Sequence, residues 1–527
     1  MVSLFRCLIG NTYSTPTRKT LTNTFLPAVY KAEVTSQVEE LAGSRGTLLI
    51  DGWSAHSTGL AASCFANKQV ANFIDAFPFD EAGQTAAVYM DALDKSYETI
   101  TNTSAKVVGY CSDNCNTMLA VRSQFEEAHP DILCYGCSDH LINLEAKDFV
   151  LELNLSTTIE RITAIQRVFK SHLKFRVALV KEGGKIPSIP GETRWHFTVD
   201  MVENFTENIG FMQACLNKNK DLKEEMKTRF SAQANDLQSP QLEIDANELL
   251  KLILPFRLAI KDIESDNTSC EKVVSIWLDL VDHVEGLDSN LFYVRLYAQG
   301  KKVAKTKTAV QDARVQSLKK RMAMALSPGH YAASLISPNF LVSRLSFEQK
   351  QIGLSYLNKL GLPNSFLTSF AMKDYTCLAV PNVMTIIEES SQLSLKEFWQ
   401  QVAFLSSSST VGNVAEVCLN LDALVSSTAS QERVFSVYGA TWTKLRNRLK
   451  GVNSKMLVFL RHRYADKRRK LAELKKMEKE AAVAEIEEDE EEEQEEIEEE
   501  IDNILSEDDD ENDDDENYDD NVGYIRI

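Results

Sequence analysis

The chain has 527 residues, with 57 Lys and Arg against 77 Asp and Glu for a formal charge of -20, and 44% of its residues are hydrophobic. That length supports two or three structural regions with sizeable cores, and no apolar run approaches the length that spans a bilayer, so no membrane partner is expected. The opening MVSLFRCLIG is too short and poorly flanked for a signal peptide, and ten Cys without a secretory signal point to reduced thiols in a cytosolic or nuclear setting.

In chain order, residues 1–44 read as a helical lead-in. Apolar runs then predict strands at 47–50, 58–66 and 70–79, a helix at 84–99, a strand at 107–110, a helix at 116–128, a short strand at 132–135 and a helix at 140–149. These belong to an α/β region over 45–202. Residues 203–415 carry i, i+3, i+4 patterns, as in NELLKLILPFRLAIKDIE at 247–264 and SIWLDLVDHVEGL at 275–287, and read as an all-helical insertion. The basic run at 301–320 suits either a phosphate-following face or a solvated helix face.

Residues 416–465 are expected to hold a last core helix and an association segment, 466–484 a basic helix, and 485–527 an acidic tail. From 485 to 520 there are 25 acids and no base, which leaves 52 acids against 56 bases in residues 1–484. The body is therefore about +4, and the whole-chain charge misleads. The tail is expected to be disordered, with solubility, competition with DNA and binding to basic proteins all open as roles.

Three acids stand out: Asp51 after the strand at 47–50, Asp113 after the strand at 107–110, and Glu432 far along the chain. In a mainly parallel sheet, functional groups gather where strands end. The bland alternative is that each Asp caps a helix or forms a turn. For Glu432 the bland alternative is that Thr428 to Gln431 form a capping box, so that Glu432 merely complements a helix dipole.

The strings around these acids resemble the hAT superfamily of cut-and-paste DNA transposases. GTLLIDGWS at 46–54, VVGYCSDNCNTM at 107–118 and STASQERVFSVYG at 427–439 are similar to the contexts of that family's catalytic acids. CSDHLINL at 137–144 and GETRWHFTVDM at 191–201 resemble two further motifs, and ERVFSVYGATWTKLRNRL at 432–449 followed by KMLVFLRHRY is similar to its C-terminal dimerisation segment.

The resemblance implies a ribonuclease-H-like core interrupted by the helical insertion. It makes Asp51, Asp113 and Glu432 the catalytic acids and metal ligands. Cys137 and His140 become supports around the acidic pocket, Arg194 and Trp195 DNA contacts near the cleavage point, and Phe435, Leu457 and Leu460 dimerisation residues. Carboxylates of this kind hold a pair of magnesium or manganese ions for in-line displacement at phosphorus. No zinc is expected, because the Cys and His spacing around 111–140 lacks four turn-borne ligands. The expected partners are DNA and a second copy of the chain, giving a homodimer or higher oligomer.

KRRK at 467–470 reads as a nuclear import signal or a DNA contact, which places the protein in the nucleus. No CxxC followed by HxxxH precedes residue 45, so the zinc-finger module common in this family is expected to be missing. Enzymatic activity therefore stays open. The alternative is a truncated or domesticated, non-catalytic factor that binds DNA or dimerises.

Overall fold

The computed structural model describes residues 16–55, 58–67, 71–79, 83–153, 155–189, 196–265, 268–288, 307–372, 378, 380, 383–389, 393–406, 408–442, 451–472 and 474–476. After the helix α1 (Leu26–Leu41) come the strands β1 (Arg45–Ala55), β2 (Thr58–Ala66) and β3 (Ala71–Pro78), then α2 (Ala86–Thr101), β4 (Lys106–Ser112), α3 (Asn116–Ala128), β5 (Leu133–Gly136) and α4 (Ser138–Glu152). This is the order that the apolar runs predict, and α3 coincides with its predicted span.

The five strands form one mixed sheet in the order β3-β2-β1-β4-β5. β1, β2 and β3 pair antiparallel, while β1, β4 and β5 pair parallel. Both faces of β1 are covered, as parallel pairing requires. Leu48 and Ile50 pack with Tyr89, Leu93, Tyr110 and Phe125 on the α2–α3 side. Leu49 joins Cys111, Leu141, Ile142 and Phe149 on the α4 side. All three β1 residues are fully buried, and each contributes about 1.5–3 kcal/mol to the fold.

Beyond α4, the next helices are α5 (Ser156–Ser171), α6 (Leu173–Lys181), α7 (His196–Lys218), α8 (Lys220–Arg229), α9 (Ser231–Leu237), α10 (Pro240–Ile263) and α11 (Cys270–Glu285). They are followed by α12 (Lys307–Ala325), α13 (Pro328–Ile336), α14 (Phe347–Lys359), α15 (Asn364–Ala371), α16 (Val383–Glu389), α17 (Leu395–Leu405), α18 (Ser409–Asp422) and α19 (Ala429–Thr441). The helical reading of 247–264 and 275–287 agrees with α10 and α11. The expected boundaries at 203 and 415 instead fall inside α7 and α18. The amphipathic pattern marks where helices exist, whereas a region boundary needs a break in contacts that periodicity does not encode.

Where it is described, the basic run at 301–320 is divided between a buried contact and an exposed face. On α12, Arg314 reaches Glu145 at 3.7 Å and Glu152 at 2.6 Å, and Arg321 bonds Glu145 and lies 2.6 Å from Asp148. Ser317 Oγ donates to Glu145 at 3.0 Å. Arg314 and Arg321 thus clamp α12 onto α4, while Lys319 and Lys320 stand exposed on the same helix. Periodicity could not show this, because the acids that answer the two Arg lie 160 or more residues upstream.

The chain returns to the sheet through residues 423–428. Thr47 Oγ1 donates to the carbonyl of Ala423 and accepts from the N–H of Val425, both at 3.0 Å, and Tyr135 donates to the carbonyl of Val425 at 3.0 Å. The N–H of Ser138 donates to the carbonyl of Ser426 at 2.9 Å. Gly109 makes room for this seam, since a Cβ there would lie 2.7 Å from Leu424 Cδ2. Behind it, the fully buried His330 accepts from the N–H of Ser327 through Nδ1 at 3.1 Å, so Nε2 carries the proton toward Ser426 Oγ at 2.7 Å. Burial pulls its pKa down to about 3, and it stays neutral.

Two compact units divide the chain at 460/461. In the first, residues 451–460 are helical, with Val458 and Phe459 buried and Phe459 edge-on to Tyr30 at 5.0 Å. In the second, 461–472 and 474–476 are helical; Asp466 binds Arg469 at 2.8 Å and Lys470 at 3.3 Å, and Tyr464, Leu471 and Leu474 are exposed. The acidic stretch from 485 lies outside the described residues.

Candidate functional site

The ladder between β1 and β4 ends at Leu49 opposite Cys111; Asp51 lies two residues further along β1, Asp113 just past the end of β4, and the Asp113 carboxylate is near enough to act on the Asp51 carboxyl. Period-two alternation along β1 puts Asp51 on the same face as Leu49. Asp113 follows the last residue of β4, as expected. Asp51 does not end a strand: β1 continues to Ala55, because β2 goes on pairing with it after β4 has turned away. The acid stands at the fork between those two partners.

Burial is the largest influence on the Asp51 carboxyl, the neighbouring Asp113 carboxylate the next, and together with Asp139 they push its pKa up to about 7 against the pull of the Gly52 N–H at 2.7 Å. Asp113 Oδ1 accepts from the N–H of Cys115 at 3.1 Å, a turn-forming bond that also fixes the carboxylate. The turn role and the acidic-pair role thus coexist in one side chain.

Two members of this neighbourhood escape sequence reasoning. Asp139, in the first turn of α4, is buried and accepts the Cys137 thiol hydrogen at 2.6 Å. Tyr89 on α2 has its phenol pushed toward the protonated form by burial, then by Asp51, Cys115 and Asp113. Its hydroxyl stands where a Cβ on residue 52 would lie, and it packs there because that residue is glycine. The Asp in CSDH was the one signal available for Asp139; nothing local marks Tyr89.

Cys137 is buried and links elements. Its N–H donates to the carbonyl of Ser112 at 2.8 Å, and its Sγ accepts from the N–H of Thr428 at 3.3 Å. Burial, then Cys111, then Asp139 hold the thiol protonated. His140 follows in the first turn of α4 and is partly buried.

Glu432 lies in the first turn of α19, as expected, but the capping box does not form. Thr428 has φ -93° and ψ 12°, outside the extended range that aims a cap side chain inward, and its hydroxyl lies 3.3 Å from Cys137 Sγ instead. Gln431 donates to the carbonyl of Ala62 at 2.8 Å. Ala62 is the residue opposite Asp51 in the β1–β2 ladder, so the start of α19 is anchored beside the acid pair. Phe435 is buried and stacks on Trp53 at 6.5 Å, and Tyr438 packs on Trp53 at 5.8 Å.

Among the described residues, no three His, Cys, Asp or Glu side chains are grouped closely enough to hold a metal ion. Asp51 and Asp113 are brought together; Glu432 does not complete such a group with them. Arg194 and Trp195 lie outside the described residues. Leu457 and Leu460 line a groove of about 900 Å³ with Leu21, Phe25 and Val29. A cavity of about 1040 Å³ opens at the opposite end of β4, around Lys106, Tyr97, Tyr356 and Lys359, away from the acids. No helix among the described residues is long and apolar enough to cross a membrane. No protein-family model matches the chain, and no curated protein matches it in sequence.

Proposed function

We propose that the chain is a transposase of the hAT type, or a derivative of one, that cuts and joins DNA strands through Asp51, Asp113 and Glu432 with magnesium or manganese. The observation that carries this reading is the Asp51–Asp113 pair at the fork of the sheet, where burial and like charge raise the Asp51 pKa to about 7. A five-stranded sheet with three antiparallel strands followed by two parallel ones suits the ribonuclease-H-like core that the motifs imply. The helical run between α4 and α19 suits the all-helical insertion.

The carboxylate oxygens of Asp51 and Asp113 are donors of the type a hard divalent cation takes, with no third His, Cys, Asp or Glu grouped with them among the described residues. Magnesium is commonly held by one or two carboxylates, with water and substrate phosphates completing its shell. When bound, a pair of such ions activates the attacking oxygen and stabilises the leaving oxygen at phosphorus. The chain's part is to keep the carboxylates in place. Asp51 is oriented by the Gly52 N–H and Asp113 by the Cys115 N–H, while the Gln431 bond anchors the start of α19 to Ala62, the residue opposite Asp51. At neutral pH the Asp51 carboxyl keeps a proton part of the time, and a cation held there would favour its ionised form. DNA as partner, self-association through the segment around Leu457 and Leu460, and nuclear import through Lys467 to Lys470 belong to the same proposal.

A second reading, a non-catalytic DNA-associated or dimerising factor, is favoured by the groove at Leu457 and Leu460, whose other wall carries the exposed Leu21, Phe25 and Val29. Cleavage of a labelled DNA duplex with magnesium or manganese separates the two. The transposase reading expects nicks or hairpins that fall at least 100-fold in Asp51→Asn, Asp113→Asn and Glu432→Gln, with DNA binding retained. Absence of cleavage, with DNA binding or dimerisation intact, selects the second reading.

A further inference from the structure

Trp277 and Trp399 are fully buried, and each indole N–H has its acceptor: Ser138 Oγ at 3.2 Å and the Ile336 carbonyl at 2.9 Å. That is the usual arrangement for a tryptophan in a core. Trp53 departs from it. It is only half-buried, and among the described residues its indole N–H has no acceptor and stays open to solvent.

The position of this indole gives the unmatched donor a use. Period-two alternation along β1 puts Trp53 on the face of Leu49 and Asp51. Two residues of extended strand span about 7 Å, so Trp53 is the next side chain along that face from the Asp51 carboxyl. Phe435 lies nearly parallel to the indole, at 13°, and Tyr438 packs on it at 36°. Tyr438 is itself edge-on to Phe73 at 6.2 Å. The two α19 rings thus give the indole a firm back. Past Leu49 only β2 pairs with β1, so among the described residues no strand lies along the other edge of 51–55.

A duplex offers such a surface its phosphates and groove edges, while its base faces stay stacked inside. A half-exposed indole with a firm back suits the flat face of an unpaired base, and its N–H suits an acceptor on the same strand. We propose that Trp53 is a stacking platform for an unpaired nucleobase adjoining a phosphate held at the Asp51–Asp113 pair. The phosphate's position rests on the strand-cleavage reading, to which the platform adds a substrate requirement: the DNA is single-stranded or locally opened where it meets the acids. Every base has a flat π face, so the contact selects for strand separation and tolerates any sequence.

The test is photo-cross-linking of the full chain to duplexes that carry one 5-iododeoxyuridine, either paired or in a single-stranded gap, with calcium in place of magnesium and adducts mapped by mass spectrometry. An adduct on Trp53 is expected from the gap, at least about fivefold stronger than from the paired position. Trp53→Leu keeps an apolar side chain against Phe435 but removes the flat face and the donor; its preference for gapped over paired duplex should fall at least about fivefold, with thermal unfolding to check that the fold persists. No adduct on wild-type Trp53, or one as strong from the paired position, overturns the proposal. An adduct on Trp53 in a protein that cuts no DNA with magnesium leaves the platform standing and removes the strand-cleavage reading. Cutting without that adduct does the reverse.

Discussion

Two acids on one helix, Asp139 and Glu145 of α4, meet opposite fates. Glu145 is buried and answered: Arg314, Arg321 and Ser317 of α12 converge on it. Asp139, in the first turn of the same helix, is also buried but faces more acid, and its charge helps raise the pKa of Asp51. A neutralised cluster holds two segments together, whereas an accumulation of like charge is held in place by the fold at a cost in stability. Such sites are where function is sought.

Removing Glu145 gives the largest expected effect on stability. Glu145→Ala removes the buried acid that Arg314, Arg321 and Ser317 share, leaving Arg314 to Glu152 and Arg321 to Asp148, and should cost about 3 kcal/mol, read as a lower midpoint in urea unfolding. If it costs under about 1 kcal/mol, the clamp is ornamental and the contrast with Asp139 fails.

The next effect is a pH dependence seated at His330. An unfolded His takes its proton near pH 6.5, whereas this one, neutral by burial, does so only near 3. Below pH 6.5 the unfolded state binds more protons, so stability is full above that value and falls by about 1.4 kcal/mol per pH unit down to pH 3. Thermal unfolding from pH 7 to 4 should show the slope, and His330→Gln should flatten it while lowering stability at pH 7.

Asp51 has the opposite sign. Its folded pKa of about 7 lies above the ordinary 3.8, so the folded state binds more protons between these values and stability drops as pH rises through that window. Asp51→Asn should therefore stabilise the protein by about 1–3 kcal/mol at pH 8, after allowance for partial exposure, with no gain near pH 4. Magnesium should raise the melting temperature of the wild-type chain and leave that of Asp51→Asn unmoved. A variant less stable at pH 8 would mean the carboxyl is structural after all.

The smallest expected change is Gln431→Ala, at about 1 kcal/mol for the lost bond to the Ala62 carbonyl. Its use is sharper than its size. If α19 is what brings Glu432 to the fork, the variant should lose strand cleavage out of proportion to its stability.

The order of the first eight elements, the span of α3 and the position of Asp113 just past β4 were legible in the sequence. Buried parallel strands are continuous apolar runs, and amphipathic helices repeat at 3.6 residues; both signals are local. The resemblance of short strings singled out Asp51, Asp113 and Glu432, again from residues that are neighbours in the chain. What only the tertiary structure decided joins residues far apart. Thr47 and Tyr135 zip to residues 423–425, Arg321 reaches Glu145, Tyr89 approaches through the gap left by Gly52, and Asp139 adds its charge to the pair. Periodicity reports which face of an element is apolar and is silent on what covers it. Charge pairing, close approach and a shifted pKa depend on that cover, and so they arise only once the chain has closed.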